Sequence, residues 1–226
     1  MSDAPIENLE KDIGHSFQNK SYIEDALTHS SSGRAKNYER LEFLGDRVLG
    51  LVIAQMLFER FPDEPEGDLA KRLAALVQGR FLAQIARKID LGSYVMFSDA
   101  EKAAGGSENE NILADVFEAV IGALYLDSGF DKCQSMIERL WADGFYEMKA
   151  PPQHPKTTLQ EWAQAQGLPL PVYKIVGQSG PDHMPVFDVE LLIEGYAPLV
   201  SQGPSRQEAE RSVALAFLQT IDGQNA

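Results

Sequence analysis

Apolar residues recur every three or four positions over most of the chain, from about Ile6 to Met148. This spacing is typical of amphipathic α-helices. Turn-forming residues interrupt it near Gly33, Pro62–Gly67, Gly92 and Gly105–Gly106. The pattern therefore predicts an all-helical domain over residues 1–150.

The pattern changes after residue 150, where a proline-rich linker is predicted over residues 151–155. Residues 156–226 predict a helix capped by Thr157 or Thr158 and ending at Gly167, and a closing helix that begins near Ser205. Three strands are predicted between these helices, at Val172–Val176, Val186–Ile193 and Ala197–Ser201. The predicted fold is mainly α, with an all-helical domain followed by an α-β-β-β-α module of the α+β class.

Two predicted helices carry acids among otherwise apolar residues. Glu39, Glu42 and Asp46 fall within an arc of roughly 60° on one helical face. Asp115 and Glu118, three residues apart, share a face of the second helix. A solvated acidic stripe explains either segment alone. Because clustered carboxylates repel each other and resist desolvation, their occurrence in two core-forming helices favours a site for Mg²⁺, with Mn²⁺ as a substitute.

Small residues accompany both acidic segments. Gly45 and Gly50 interrupt the first, and Ala114, Ala119 and Gly122 lie on or beside the acidic face of the second. A glycine inside a helix costs about 0.5–1 kcal/mol relative to alanine. Close packing of the two helices would explain the glycines and bring both sets of carboxylates around a shared cation.

The segment from Glu39 to Asp46, which continues through Arg47 to Gly50, resembles the signature of the ribonuclease III family. Residues 112–122 resemble its second acidic motif, and residues 61–69 are similar to another family segment. The resemblance continues through the C-terminal third and implies that residues 1–150 form a catalytic domain. It implies an endoribonuclease that hydrolyses phosphodiester bonds in double-stranded RNA, leaving 5′-phosphate and 3′-hydroxyl ends, in rRNA and mRNA processing.

The resemblance also implies roles for individual side chains. The expected metal ligands are Glu42, Asp46, Asp115 and Glu118, of which Asp46 and Glu118 are also expected to be catalytic. Glu39 is expected at the edge of the site. Family members are homodimers in which an aromatic residue inserts into the other subunit. That role is expected for Phe43, which lies about 40° from Glu39 around its helix.

The C-terminal module resembles a double-stranded-RNA-binding domain. The similarity lies in Pro155–Glu161, Pro171–Tyr173, Gly180–His183 and Ser205–Glu210. Such modules contact two minor grooves and the phosphates across the intervening major groove. The residues expected to contact RNA are Thr157, Gln160, Glu161, Gln164, His183, Ser205 and Arg206. Gln207 stands where the family usually carries a basic residue, and this predicts weak, salt-sensitive binding.

The charge of the chain does not suggest a nucleic-acid-binding protein. The formal net charge is −14, with 16 basic and 26 acidic side chains in residues 1–150 and 4 and 8 in residues 151–226. Because RNA binding normally relies on basic surface, local patches and metal bridges would have to replace a global field. The single cysteine and the lack of an apolar span or signal sequence predict a cytoplasmic protein with no membrane partner.

Two alternatives from other classes compete with the nuclease hypothesis. A di-iron carboxylate bundle expects Glu-x-x-His pairs, and none of the four histidines follows a glutamate by three residues. A non-cleaving regulator that binds double-stranded RNA would not need the acids, although every expected acid is present.

Overall fold

Two long helices form the centre of the N-terminal unit. The computed structural model describes residues 6–152, 154–181 and 184–222. Helix α3 spans Glu39–Arg60, and helix α7 spans Glu110–Ser128. Asn109 caps α7, because its side-chain oxygen accepts hydrogen bonds from the first-turn N–H groups, and the helix ends at Gly129 with a φ of +81°.

The remaining helices of this unit surround the central pair. They are α1 (Ile6–Ile13), α2 (Lys20–Ala26), α4 (Glu66–Leu76), α5 (Gly79–Lys88), α6 (Asp99–Ala103) and α8 (Phe130–Glu147). Short 3₁₀ turns occur at Ser30–Ser32, Leu91–Tyr94 and Gly106–Glu108. The prediction of an all-helical N-terminal region is confirmed.

Helix α7 lies in the middle of the hydrophobic core. From Leu113 to Leu124, every residue is buried except Asp115 and Glu118. Phe117 stacks on Trp141 of α8 with 5.7 Å between ring centroids. A helix segment buried on nearly all sides has few positions for charge, and the two acids within it, Asp115 and Glu118, are partly buried.

The C-terminal unit has the predicted α-β-β-β-α order. Its elements are α9 (Pro155–Ala165), β1 (Val172–Ser179), β2 (Val186–Leu192), β3 (Leu199–Gly203) and α10 (Arg206–Asp222). The strands form one antiparallel sheet in the order β1-β2-β3. Both helices share one core with the sheet, built around Leu159, Val189 and Val213.

Some predicted boundaries are wrong. Helix α9 begins at Pro155, not after Thr157 or Thr158, because proline at the first helical position has the required φ and no N–H to satisfy. Strand β1 continues to Ser179 past a bulge between Ile175 and Gly177. An irregularity of this kind leaves no clear period in the sequence.

The chain divides into two units after Pro152, each with its own core. Among the described residues, none of the helices combines the length and the apolar character needed to cross a bilayer.

Candidate metal centre and nucleic-acid interface

Two glycines allow α3 and α7 to pack backbone against backbone. A Cβ atom on Gly45 would overlap the carbonyl oxygen of Glu118, and one on Gly122 would overlap that of Leu41. The close packing predicted from the sequence is therefore confirmed for these two positions. Gly50 does not share this role, because a Cβ there would meet open space. The explanation of Gly50 by close packing was wrong.

The contact between α3 and α7 brings three carboxylates together. Glu42 lies on α3, one helical turn before Gly45, and Asp115 and Glu118 lie on successive turns of α7. One carboxylate oxygen from each lies within 4.8 Å of the others, and all three side chains are partly buried. A group of hard oxygen donors at this spacing could hold a divalent cation.

Burial raises the pKa values of all three clustered acids, and neighbouring carboxylates raise those of Glu118 and Glu42 further. Burial, followed by the charges of Asp115 and Glu42, raises the pKa of Glu118 from 4.5 to about 7, although Arg47 lowers it. Burial and the charges of Asp115 and Glu39 raise the pKa of Glu42. Burial also raises the pKa of Asp115, against the influence of His29. Raised pKa values in all three acids indicate that the site lacks positive charge. A divalent cation would supply this charge.

Asp46 and Glu39 lie beside this three-carboxylate cluster. Asp46 follows Glu42 by one turn of α3, and its carboxylate forms an ion pair with Arg47. It is not one of the three clustered carboxylates. Glu39 is exposed at the start of α3, where its carboxylate accepts a hydrogen bond from the Asn37 side chain at 3.2 Å.

Two ring side chains that the sequence analysis did not assign to the site, Tyr38 and His29, lie beside the cluster. Tyr38 precedes α3, is buried, and stacks on His29 with 5.5 Å between ring centroids. Burial, then the charges of Asp115, Glu42 and Glu39, raises the pKa of Tyr38 to about 12. Tyr38 lies one helical turn before Glu42 along the chain, but its proximity to Asp115, like that of His29, comes from tertiary contacts.

Phe43 lies on the solvent side of α3 and is 68% exposed. The Arg47 guanidinium lies 5.6 Å from its ring centroid. An open cleft of about 890 Å³ lies beside it, lined by residues that include Tyr22, Leu44 and Leu126. Leu126, which lines the same cleft, is also exposed, at 46%. Large apolar side chains grouped on a surface are typical of an interaction site.

The predicted RNA contacts of α9 share one face of that helix. Thr157, Gln160, Glu161 and Gln164 are all exposed, whereas Leu159 and Ala163 are buried in the core. The spacing of the four exposed residues places their side chains on successive turns.

The remaining predicted contacts lie at the start of α10 or outside the described residues. The Ser205 hydroxyl accepts a hydrogen bond from the backbone N–H of Glu208 at 3.2 Å, and Arg206 is exposed. The start of a capped helix favours a phosphate group. His183 lies outside the described residues.

Comparisons with known proteins agree with this architecture. The model of the Ribonuclease-III-like family matches residues 19–143, and that of the double-stranded RNA binding motif matches residues 155–221. Ribonuclease 3 of Caulobacter vibrioides (strain NA1000 / CB15N) is 45% identical over 221 residues, which cover 96% of each chain. Ribonuclease 3 of Ehrlichia ruminantium (strain Welgevonden) is 45% identical over 218 residues, covering 95% of this chain and 96% of its own.

A solved structure is similar to the N-terminal unit. The nuclease domain of ribonuclease III from Campylobacter jejuni matches with a TM-score of 0.61 and 43% identity, covering 63% of this chain and 99% of that domain. That structure is described as showing flexibility in a region involved in dimer formation.

The fold and the three-carboxylate cluster define an endoribonuclease that joins a helical nuclease domain to a double-stranded-RNA-binding module. The chain belongs to the ribonuclease III family.

Proposed function

We propose that this protein hydrolyses double-stranded RNA by a divalent-metal mechanism at the three-carboxylate cluster, leaving 5′-phosphate and 3′-hydroxyl ends. The observation that carries the proposal is the convergence of Glu42, Asp115 and Glu118 within 4.8 Å at a close helix contact. We further propose that its substrates include rRNA and mRNA precursors in the cytoplasm, and that residues 1–150 and 156–226 act as catalytic and RNA-binding domains.

The three clustered carboxylates would hold Mg²⁺, with Mn²⁺ as a substitute. Asp46 is proposed as a further ligand, because it lies one turn from Glu42 and its side chain is 39% exposed. When bound, such a cation neutralises phosphate oxygens and lowers the pKa of water. The negative charge of Glu39, at the edge of the metal site, would favour binding of the cation.

We assign the reacting water to Glu118. Its carboxylate orients the water for attack on phosphorus, opposite the 3′ oxygen of the scissile bond. As the water oxygen bonds to phosphorus the water gives up one proton, and as the bond from phosphorus to the 3′ oxygen breaks this oxygen takes up one proton and leaves as a hydroxyl, while the phosphate stays on the 5′ end. Asp46, on α3, would contribute to the same step as a further ligand of the cation.

The active form is proposed to be a homodimer in which Phe43 inserts into the second copy. Its 68% exposure and the adjacent open cleft of about 890 Å³ support this arrangement, because an exposed aromatic side chain gains from burial. In the dimer each subunit cuts one strand.

RNA contact is proposed for one face of α9 and the start of α10, through Thr157, Gln160, Glu161, Gln164, His183, Ser205 and Arg206. The alternative of a non-cleaving regulator is not favoured, because the chain resembles proteins named ribonuclease 3 over 95–96% of its length.

The direct experiment is incubation of the purified chain with a long, end-labelled RNA duplex, with Mg²⁺ or with a chelator, at several salt concentrations. We expect cleavage with Mg²⁺ and none with the chelator, and products that a 5′-phosphate-dependent exonuclease degrades. Stable binding without cleavage under all conditions would support the regulator instead.

A further inference from the structure

A buried acid connects two helices of the C-terminal unit. Glu210 of α10 is 7% exposed. Its Oε2 accepts a hydrogen bond from Lys156 Nζ of α9 at 2.5 Å, and its Oε1 accepts one from Arg206 Nε at 2.8 Å. Residues 151–226 contain only four basic side chains, and two of these, Lys156 and Arg206, bind this one carboxylate. In a module with so few cations, their placement is decisive for phosphate binding.

The surroundings keep Glu210 ionised and Lys156 in place. Burial raises the pKa of Glu210, but the hydrogen bonds from Lys156 and Arg206 bring it below its ordinary value. Lys156 Nζ lies 4.9 Å from the ring centroid of Tyr173, and its side chain is only 29% exposed. Lys156 therefore acts mainly as the internal counter-ion of Glu210.

Arg206 is held differently, with its terminal nitrogens available to a ligand. It binds Glu210 through Nε, and the side chain is 64% exposed. No other hydrogen bond of this guanidinium is found within residues 6–152, 154–181 and 184–222. A guanidinium held by Nε presents its two terminal nitrogens as a fork that can bind phosphate through two bonds.

We propose that Glu210 is a positioning residue for RNA binding, which holds the Arg206 fork toward a phosphate at the start of α10. The inference rests on the proposed binding of duplex RNA. Glu210 acts through Arg206, next to the Ser205 cap and the positive end of the helix dipole, and Lys156 neutralises its charge from behind.

Positioning and simple charge counting predict opposite effects of one substitution. Glu210→Gln removes a negative charge from a domain of net charge −4, so charge counting predicts tighter binding. If Glu210 positions Arg206, the same change weakens binding, because an amide nitrogen placed against Lys156 or Arg206 opposes one donor with another. Glu208→Gln is the matched control, since it makes the same charge change at an exposed residue of the same helix turn.

The experiment measures binding of the full chain to a labelled RNA duplex in chelator-containing buffer across a salt series. For Glu210→Gln we expect at least about fivefold weaker binding and a log–log salt slope reduced by about one unit. Glu208→Gln should bind as well as the wild type or better. With metal present, Glu210→Gln should raise KM and leave kcat unchanged.

A double-mutant cycle shows whether Glu210 acts through Arg206. In an Arg206→Gln background, Glu210→Gln should have no further effect on affinity. Arg206→Lys keeps the charge at an exposed position but removes the fork, and it should also weaken binding. This variant decides the matter if Glu210→Gln does not fold by circular dichroism. Tighter or unchanged binding by folded Glu210→Gln, or wild-type affinity of Arg206→Lys, overturns the proposal. Failure of the wild type to bind duplex RNA would instead overturn the proposed function.

Discussion

The raised pKa of Glu118 predicts that the metal-free protein loses stability as the pH rises. In the unfolded chain the carboxyl group loses its proton near pH 4.5, whereas in the folded protein it keeps the proton up to about pH 7. Between these values the folded state binds more protons than the unfolded state, so raising the pH favours unfolding. At ~1.36 kcal/mol per unit, the upper limit of the loss is about 3.4 kcal/mol, and water at the partly exposed side chain reduces it to about 1–3 kcal/mol.

Urea unfolding in the presence of a chelator at about pH 5.5 and about pH 8 measures this loss. Trp141 fluorescence reports on the N-terminal unit alone if Trp162, which packs against the core of the C-terminal unit, is replaced by Phe. Glu118→Gln in the same background has no ionisable group at this position, so its stability should change much less with pH. Mg²⁺ added at about pH 8 should restore stability to the Glu118 protein. The same pH dependence in both proteins would show that Glu118 does not cause the loss of stability.

Three further substitutions test separate parts of the structure. Gly45→Ala should destabilise the N-terminal unit by about 1–3 kcal/mol in urea unfolding, because the added Cβ would overlap the Glu118 carbonyl oxygen. Gly50→Ala is the control and should not destabilise this unit, because a Cβ at that position would meet open space. Phe43→Ala should weaken dimerisation in sedimentation experiments, with truncation of a buried aromatic costing about 3–5 kcal/mol; an unchanged dimer, or a monomeric wild type, would contradict this role. Gln207→Lys should tighten duplex binding and steepen the salt slope by up to about one unit, and an unchanged slope would show that this position does not face phosphate.

The carboxylate cluster could be predicted because its signals are local. The spacing of Asp115 and Glu118 on a helix depends only on helical geometry, and both acids interrupt an otherwise apolar segment. The glycine at 45 indicated a close approach, and its overlap with α7 explains that signal. Gly50 gave the same signal without a close contact. A glycine within a helical segment does not show by itself whether its side of the helix packs against another element.

Contacts between distant segments could not be predicted from local pattern. Tyr38 and His29 come next to Asp115 only through the packing of α7, more than 70 residues along the chain. The ion pair between Lys156 and Glu210 joins residues separated by 54 positions. Glu210 belongs to the Ser205–Glu210 motif, in which the sequence analysis considered charge only at positions 206 and 207. Nothing in the local sequence distinguishes a buried carboxylate at 210 from a solvated one.

Single-turnover cleavage of duplex RNA by Glu118→Gln tests the central claim most directly. Glu110→Gln is the matched control, because it changes an exposed acid in the first turn of the same helix, outside the three-carboxylate cluster. With saturating Mg²⁺, we expect Glu118→Gln to bind the duplex as tightly as the wild type but to lose nearly all cleavage, whereas Glu110→Gln should cleave normally. Cleavage by Glu118→Gln at the wild-type rate would contradict the assignment of this cluster as the catalytic centre.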